Sequence, residues 1–229
     1  MYVLSIPEEM MNKIFDINNK FFSTLSKMWD LLVLDVLWII SVLAFVGPAC
    51  TALYYAVAKN IRKSREYPGK TFWHSFKLNF KQAAILGVMQ ILCVLWIFYS
   101  YNFAMAMDES SYFGQVYYWV VVLEAILFAM VSVYIYPILS RFNMKIGAIL
   151  KLALYMSIRH FFSTTIYGVL GLVGVYLCWQ YILLSPIVLF APALYVLILS
   201  IPMEKVLRRY MPKKEDQSEN EQEAWYYED

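Results

Sequence analysis

Asp35 and Glu124 are carboxylates set several residues inside long apolar runs, and Gln90 and Gln180 are amides in similar settings. A carboxylate surrounded by hydrocarbon is costly, so it must face a cavity, meet a partner or carry a proton. Two chemistries follow. One is an ion or polar-solute site built on Glu124, with Asp35 and Gln90 as companions. The other is a hydrogen-bonded carboxyl that fastens helices together, and this is the preferred reading, above all for Asp35, which stands nearer the end of its run. No lysine or arginine lies deep in any run to pair with either acid.

Other chemistry has little to build on. The two histidines, His74 and His160, are far apart in sequence. No HExxH helix, Walker loop or Gly-x-Ser-x-Gly elbow is present. Cys50, Cys93 and Cys178 are an odd, scattered set that reads as small buried hydrophobes, with neither a disulfide framework nor a metal site. The expectation is a chain with no catalytic, cofactor-binding or metal-ligating residues and no enzyme activity. Nucleic acid is excluded as a partner because the cations flank apolar runs, where membrane orientation and anionic lipid account for them.

The composition agrees. The 229 residues are 61% hydrophobic and only 16% charged, against about 25% charged in a soluble domain. The apolar residues gather into blocks of about twenty, the length that crosses a hydrocarbon core of roughly 30 Å. The fold class is therefore all-α, a polytopic transmembrane helical bundle. About five spans are expected, near 29–46, 83–101, 117–139, 163–184 and 187–203. No removable signal peptide is expected ahead of Leu31.

Around those spans the chain divides into an N-terminal amphipathic segment (1–28), a transmembrane domain (29–209) and a disordered acidic tail (210–229). In the first, Met11, Ile14, Phe15, Phe21, Phe22, Leu25 and Met28 recur at helical spacing, as in a helix lying in the interface or on the bundle. Gly47-Pro48 should break or kink the first span. Residues 49–58 then either complete that span or turn along the interface. Ala83, Ala84 and Gly87 offer a smooth face for close packing, as do Gly168, Gly171 and Gly174. Residues 140–162 mix four cations with an apolar stripe and read as a second interfacial helix. Ser185-Pro186 is a turn, and Pro192 should kink the fifth span. Glu204, Lys205, Arg208 and Arg209 open the tail.

Sixteen of the nineteen lysines and arginines fall in 59–82, in 140–162 and from Lys205 onward. Cationic segments stay cytoplasmic. The expected topology is a multi-pass cell-membrane protein with its N-terminus outside and its C-terminus in the cytoplasm.

Gly47-Pro48-Ala49-Cys50-Thr51-Ala52-Leu53-Tyr54, followed by Phe72-Trp73-His74-Ser75-Phe76-Lys77-Leu78-Asn79-Phe80-Lys81-Gln82, resembles the YesL family of bacterial membrane proteins. The resemblance implies a poorly characterised protein, often encoded beside carbohydrate ABC importers, their solute-binding lipoproteins and glycoside hydrolases. It implies an accessory role in sugar uptake and supplies no catalytic residues. The expected function is thus a non-enzymatic accessory or interaction subunit of carbohydrate ABC import. The alternative is an autonomous small-solute transporter or channel using a buried carboxylate, suggested by the broken first span and by Glu124. Expected partners are membrane lipid and importer permease or solute-binding subunits, and a homo-oligomer is also allowed. Gly47, Pro48, Thr51, Asn79 and Lys81 are candidates for a cytoplasmic-side docking surface, because the family-like residues concentrate there.

Overall fold

The computed structural model describes residues 20–61, 67–107, 111–181 and 190–210, and these are helical almost throughout. The expectations for residues 1–19, 62–66, 108–110, 182–189 and 211–229, including the Ser185-Pro186 turn and the acidic tail, lie outside the described residues. Helix α1 runs Lys20–Ala44, α2 Val46–Ala56, α3 Pro68–Leu78 and α4 Phe80–Met105. Helix α5 runs Tyr112–Arg141, α6 Ile146–Arg159, α7 Phe161–Tyr181 and α8 Ala191–Leu207.

Two of these helices, α4 and α5, are long and apolar enough to cross a membrane, each with mean hydropathy 2.1 over its best stretch. A third crossing is added if α6 and α7, which meet at a 100° bend, count as one broken span. Both α4 and α5 turn most of their surface outward. Leu92, Leu95, Trp96, Phe98, Trp119, Val120 and Leu123 are all exposed. In lipid such apolar faces need no cover, and packing rather than hydrophobicity must hold the helices together.

The centre of the bundle is α2. Every residue from Gly47 to Ala58 except Cys50 is buried. Ala52, Leu53, Ala56 and Val57 join Leu31, Leu34, Phe72 and Ala193 in one core cluster. Tyr54 and Ala58 join Ala83, Leu86, Tyr134, Ile138, Met156 and Met203 in another. Residues 49–58 thus do not carry the first helix onward: they form a separate helix that packs back on Leu31 and Leu34, buried between the two clusters. The break falls at Phe45, whose backbone is extended at φ −151° and ψ 102°. Pro48 explains the position. A helix continued through it would drive its ring into the carbonyl four residues earlier. Within the first turn of a new helix, by contrast, its missing N–H costs nothing. Past Ala56 the helix widens into a π-helical turn over Val57–Ile61, and Lys59 sits 5.9 Å from the Tyr55 ring centre.

Helix α2 reaches its neighbours by shedding side chains. A Cβ placed on Gly47 would lie 2.0 Å from the Ala83 carbonyl oxygen and 3.2 Å from the Gly87 Cα. A Cβ on Gly87 would lie 3.0 Å from the Gly47 nitrogen. The smooth face expected on α4 therefore meets Gly47 itself. The second small-residue face behaves differently. Gly168 and Gly174 have no neighbour within 4 Å of such a Cβ, and only Gly171 is approached, by the Tyr195 hydroxyl at 3.1 Å.

Three other expectations change. Residues Lys20–Met28 do not form a separate amphipathic element; they run without a break into α1, because nothing between Lys20 and Ala44 interrupts helical propensity. Pro192 does not kink the last helix. It occupies the first turn of α8, where proline is favoured, and the interior proline is Pro202. Cys93 is exposed on α4 rather than buried, while Cys50 is half-buried.

Candidate functional site

Asp35 is fully buried. Its Oδ1 accepts the backbone N–H of Ala193 at 2.8 Å. The first N–H groups of a helix have no partner within it, and Phe190, which precedes α8, provides no side-chain cap. Asp35 on α1 therefore caps α8 across the bundle, in the positive field of that helix's N-terminus. The other oxygen, Oδ2, has no hydrogen bond, and neither do the buried Trp38 Nε1 and Ser41 Oγ farther along α1.

Gln90 is half-buried and accepts a hydrogen bond from the Tyr136 hydroxyl, which joins α4 to α5. Glu124 is exposed. It stands in a shallow groove whose lining, Val120, Leu123, Leu127, Phe128 and Val131, comes entirely from its own helix. The three candidates therefore do not converge: Asp35 serves α8, Gln90 serves α5, and Glu124 faces away from the bundle interior.

A polar centre missed in the sequence lies at the other end of α8. Arg141 Nε donates to Glu204 Oε1 at 2.9 Å, with both side chains more than nine-tenths buried. The Tyr54 hydroxyl donates to the same oxygen at 3.2 Å. One carboxylate thereby joins the last turn of α5, the last turns of α8 and the buried α2. Burying two charges is unfavourable unless they pair with good geometry and further hydrogen bonds. Tyr54 supplies one such bond, while Arg141 Nη2 has none. Glu204 looked like the first residue of a charged tail. The available signal was periodicity: Leu199, Ser200, Met203, Glu204 and Leu207 form one buried stripe, so the helix continues past its last apolar triplet.

The proposed docking motif separates into two parts. Gly47, Pro48 and Thr51 are buried and serve packing. The Thr51 hydroxyl donates to the Gly47 carbonyl at 3.0 Å, not to the carbonyl that Pro48 leaves free. Lys77 and Lys81 are exposed. Between them Asn79 is half-buried, and its amide reaches the Ser75 carbonyl at 3.4 Å. Helix α6 buries Ile149, Ala153, Met156 and Ser157 along one side and exposes Lys151 and Arg159. At its junction with α7, His160 titrates below the usual histidine range, through partial burial first and then the nearby Arg159 and Arg209 charges.

Among known sequences, residues 31–101 match the family described as "Protein of unknown function, DUF624". Over 188 residues the chain is 26% identical to the "Uncharacterized protein YesL" of Bacillus subtilis (strain 168), covering 80% of this chain and 87% of that one. The chain is YesL-like. Both motifs that carried the resemblance fall inside the matched 31–101 segment. In this YesL-like chain the first motif is the buried α2 and the second is the end of α3 with the start of α4. No solved structure matches it.

Proposed function

We propose that this YesL-like chain is a non-enzymatic accessory subunit of the cell membrane that works beside carbohydrate ABC importers. The observation that carries the reading is how the interior polar groups are used. Asp35 caps α8, Gln90 holds Tyr136, and Glu204 holds Arg141 and Tyr54. Each fastens one helix to another, which suits a scaffold. Family context supplies the importer. A solute path built on Asp35 and Glu124 together draws no support from their separate placement.

The reading includes five spans: α1, α4, α5, α7 and α8. At 25 residues α1 is about 37 Å long and at 17 residues α8 is about 25 Å, near enough to a core of roughly 30 Å. Contacts at one end support the alternation. Phe45 after α1 packs edge-on against Phe80 at the start of α4, with ring centres 4.8 Å apart. Arg141 near the end of α5 meets Glu204 near the end of α8. At the opposite end of α4, Phe103 packs against Tyr117 near the start of α5. The cations Lys77, Lys81, Arg141, Lys145 and Lys205 belong to the first end, so that end faces the cytoplasm and the N-terminus lies outside. Helix α6, set at 100° to α7, lies along the same interface.

Affinity purification of the tagged full chain from native membranes in mild detergent, from cells grown on several polysaccharides, tests the function. Stoichiometric recovery of ABC permease or solute-binding subunits is expected. Recovery of the chain alone on every carbon source would sink the proposal.

A further inference from the structure

We infer that the outward face of α5 around Glu124 is an assembly surface, and that its partner is a transmembrane helix of another membrane protein bearing a lysine or arginine within its apolar stretch. The inference deepens the accessory-subunit reading and rests on it. Helix α5 has 30 residues and is about 45 Å long. Glu124 lies twelve residues from its start, about 18 Å along, and so within a centred hydrocarbon core of roughly 30 Å. The groove around it has a volume of about 560 Å³ and is otherwise apolar. Val120, Leu123 and Leu127 beside it are exposed and follow helical spacing.

Asp35 and Glu204 are each matched by a group inside the bundle, whereas Glu124 points outward, where acyl chains offer a carboxylate nothing. Intramembrane ionisable groups pair with one another or with backbone carbonyls, so the complement of this face is an apolar helix with a cation at matching depth. A second copy fits poorly. Two-fold pairing sets a patch against itself. From Val120 to Val131 the patch offers Glu124 only apolar residues and another carboxylate. The lysine and arginine of α4 and α5, Lys81 and Arg141, stand near the helix ends.

The test places a photo-cross-linking benzoylphenylalanine at Leu127 of the full chain in native membranes, with the same group at exposed Leu172 on α7 as the off-site control. Cross-linked peptides are mapped by mass spectrometry. A membrane helix with an intramembrane lysine or arginine is expected at Leu127 and not at Leu172. Its yield should fall about tenfold or more in Glu124→Gln and Glu124→Leu, as truncating one member of a desolvated charge pair does. Glu124→Lys should restore it when the partner's cation is changed to glutamate. Unchanged size-exclusion profiles and Tm for the Glu124 variants confirm that they fold. Cross-linking to a second copy, to lipid alone, or at undiminished yield in both neutral variants would overturn the surface. Importer subunits that copurify fully with Glu124→Leu, with no charge-dependent cross-link at Leu127 to any partner, would overturn it too, while leaving the accessory reading intact. A charge-rescued partner from outside the importer would uphold the surface and remove the importer from the reading.

Discussion

Glu204 is the residue on which most rests, because three helices meet on one of its oxygens. Removing either charge leaves the other buried and unmatched. Arg141→Ala or Glu204→Ala should therefore each destabilise the protein by about 3–5 kcal/mol, whereas Arg141→Met with Glu204→Leu should recover much of that loss. Thermal unfolding in detergent measures both. Asp35 makes a milder case. Asp35→Ala removes the cap of α8 and should cost about 0.5–2 kcal/mol, while Asp35→Asn keeps an acceptor and should cost less. His160 gives a pH dependence. Its folded pKa lies below the unfolded value near 6.5, so the unfolded chain binds more protons between the two. The contribution is present above pH 6.5 and is lost as pH falls through that window. A ring-proton titration should give a midpoint below 6.5 in the wild type, moving upward in Arg209→Gln. Side chains such as these show how far the sequence could be read. Asp35 reads as a fastener because it is a carboxylate inside an apolar run, near the end of that run. Its actual partner, a backbone N–H 158 positions away, has no sequence signature.

Among the elements, α2 and α7 make a paired experiment in glycine. Gly47→Ala pushes a methyl group into the Ala83 backbone and should cost about 1–3 kcal/mol, or more, since neither helix can yield. Gly168→Ala meets nothing within 4 Å and should be neutral or stabilising by up to about 1 kcal/mol. Equal effects on Tm would show that the α2–α4 crossing is looser than described. The contrast also shows why α2 was hard to classify in advance. The small residues of α4 that meet it announced close packing, but small residues announced it equally for α7. Spacing alone cannot say which glycine a neighbour actually approaches. The position of the break was clearer in kind than in place: proline acts on the turn before it, so the chain parts at Phe45.

At the scale of the whole molecule, helical class and membrane character were legible because composition and run length dictate them. Orientation is a matter for direct mapping. A cysteine at position 110 should react with impermeant reagent from outside the cell, and labelling only after lysis would reverse the topology. Residues 59, 81 and 145 should show the opposite pattern. The bundle's ends were less legible than its middle, since the cations near Arg141 and Glu204 disguise a buried ion pair as surface charge.

Helix α2 is synthesised long before most of what surrounds it. Its Tyr54 waits for Glu204, 150 positions later, and its neighbours on α3, α4, α5 and α8 all follow it in the chain. At eleven residues it is too short to be held across the bilayer by itself. Its full set of contacts is therefore complete only once α8 has been made. Truncations that stop before residue 204 should leave this segment accessible to proteases and to quality control.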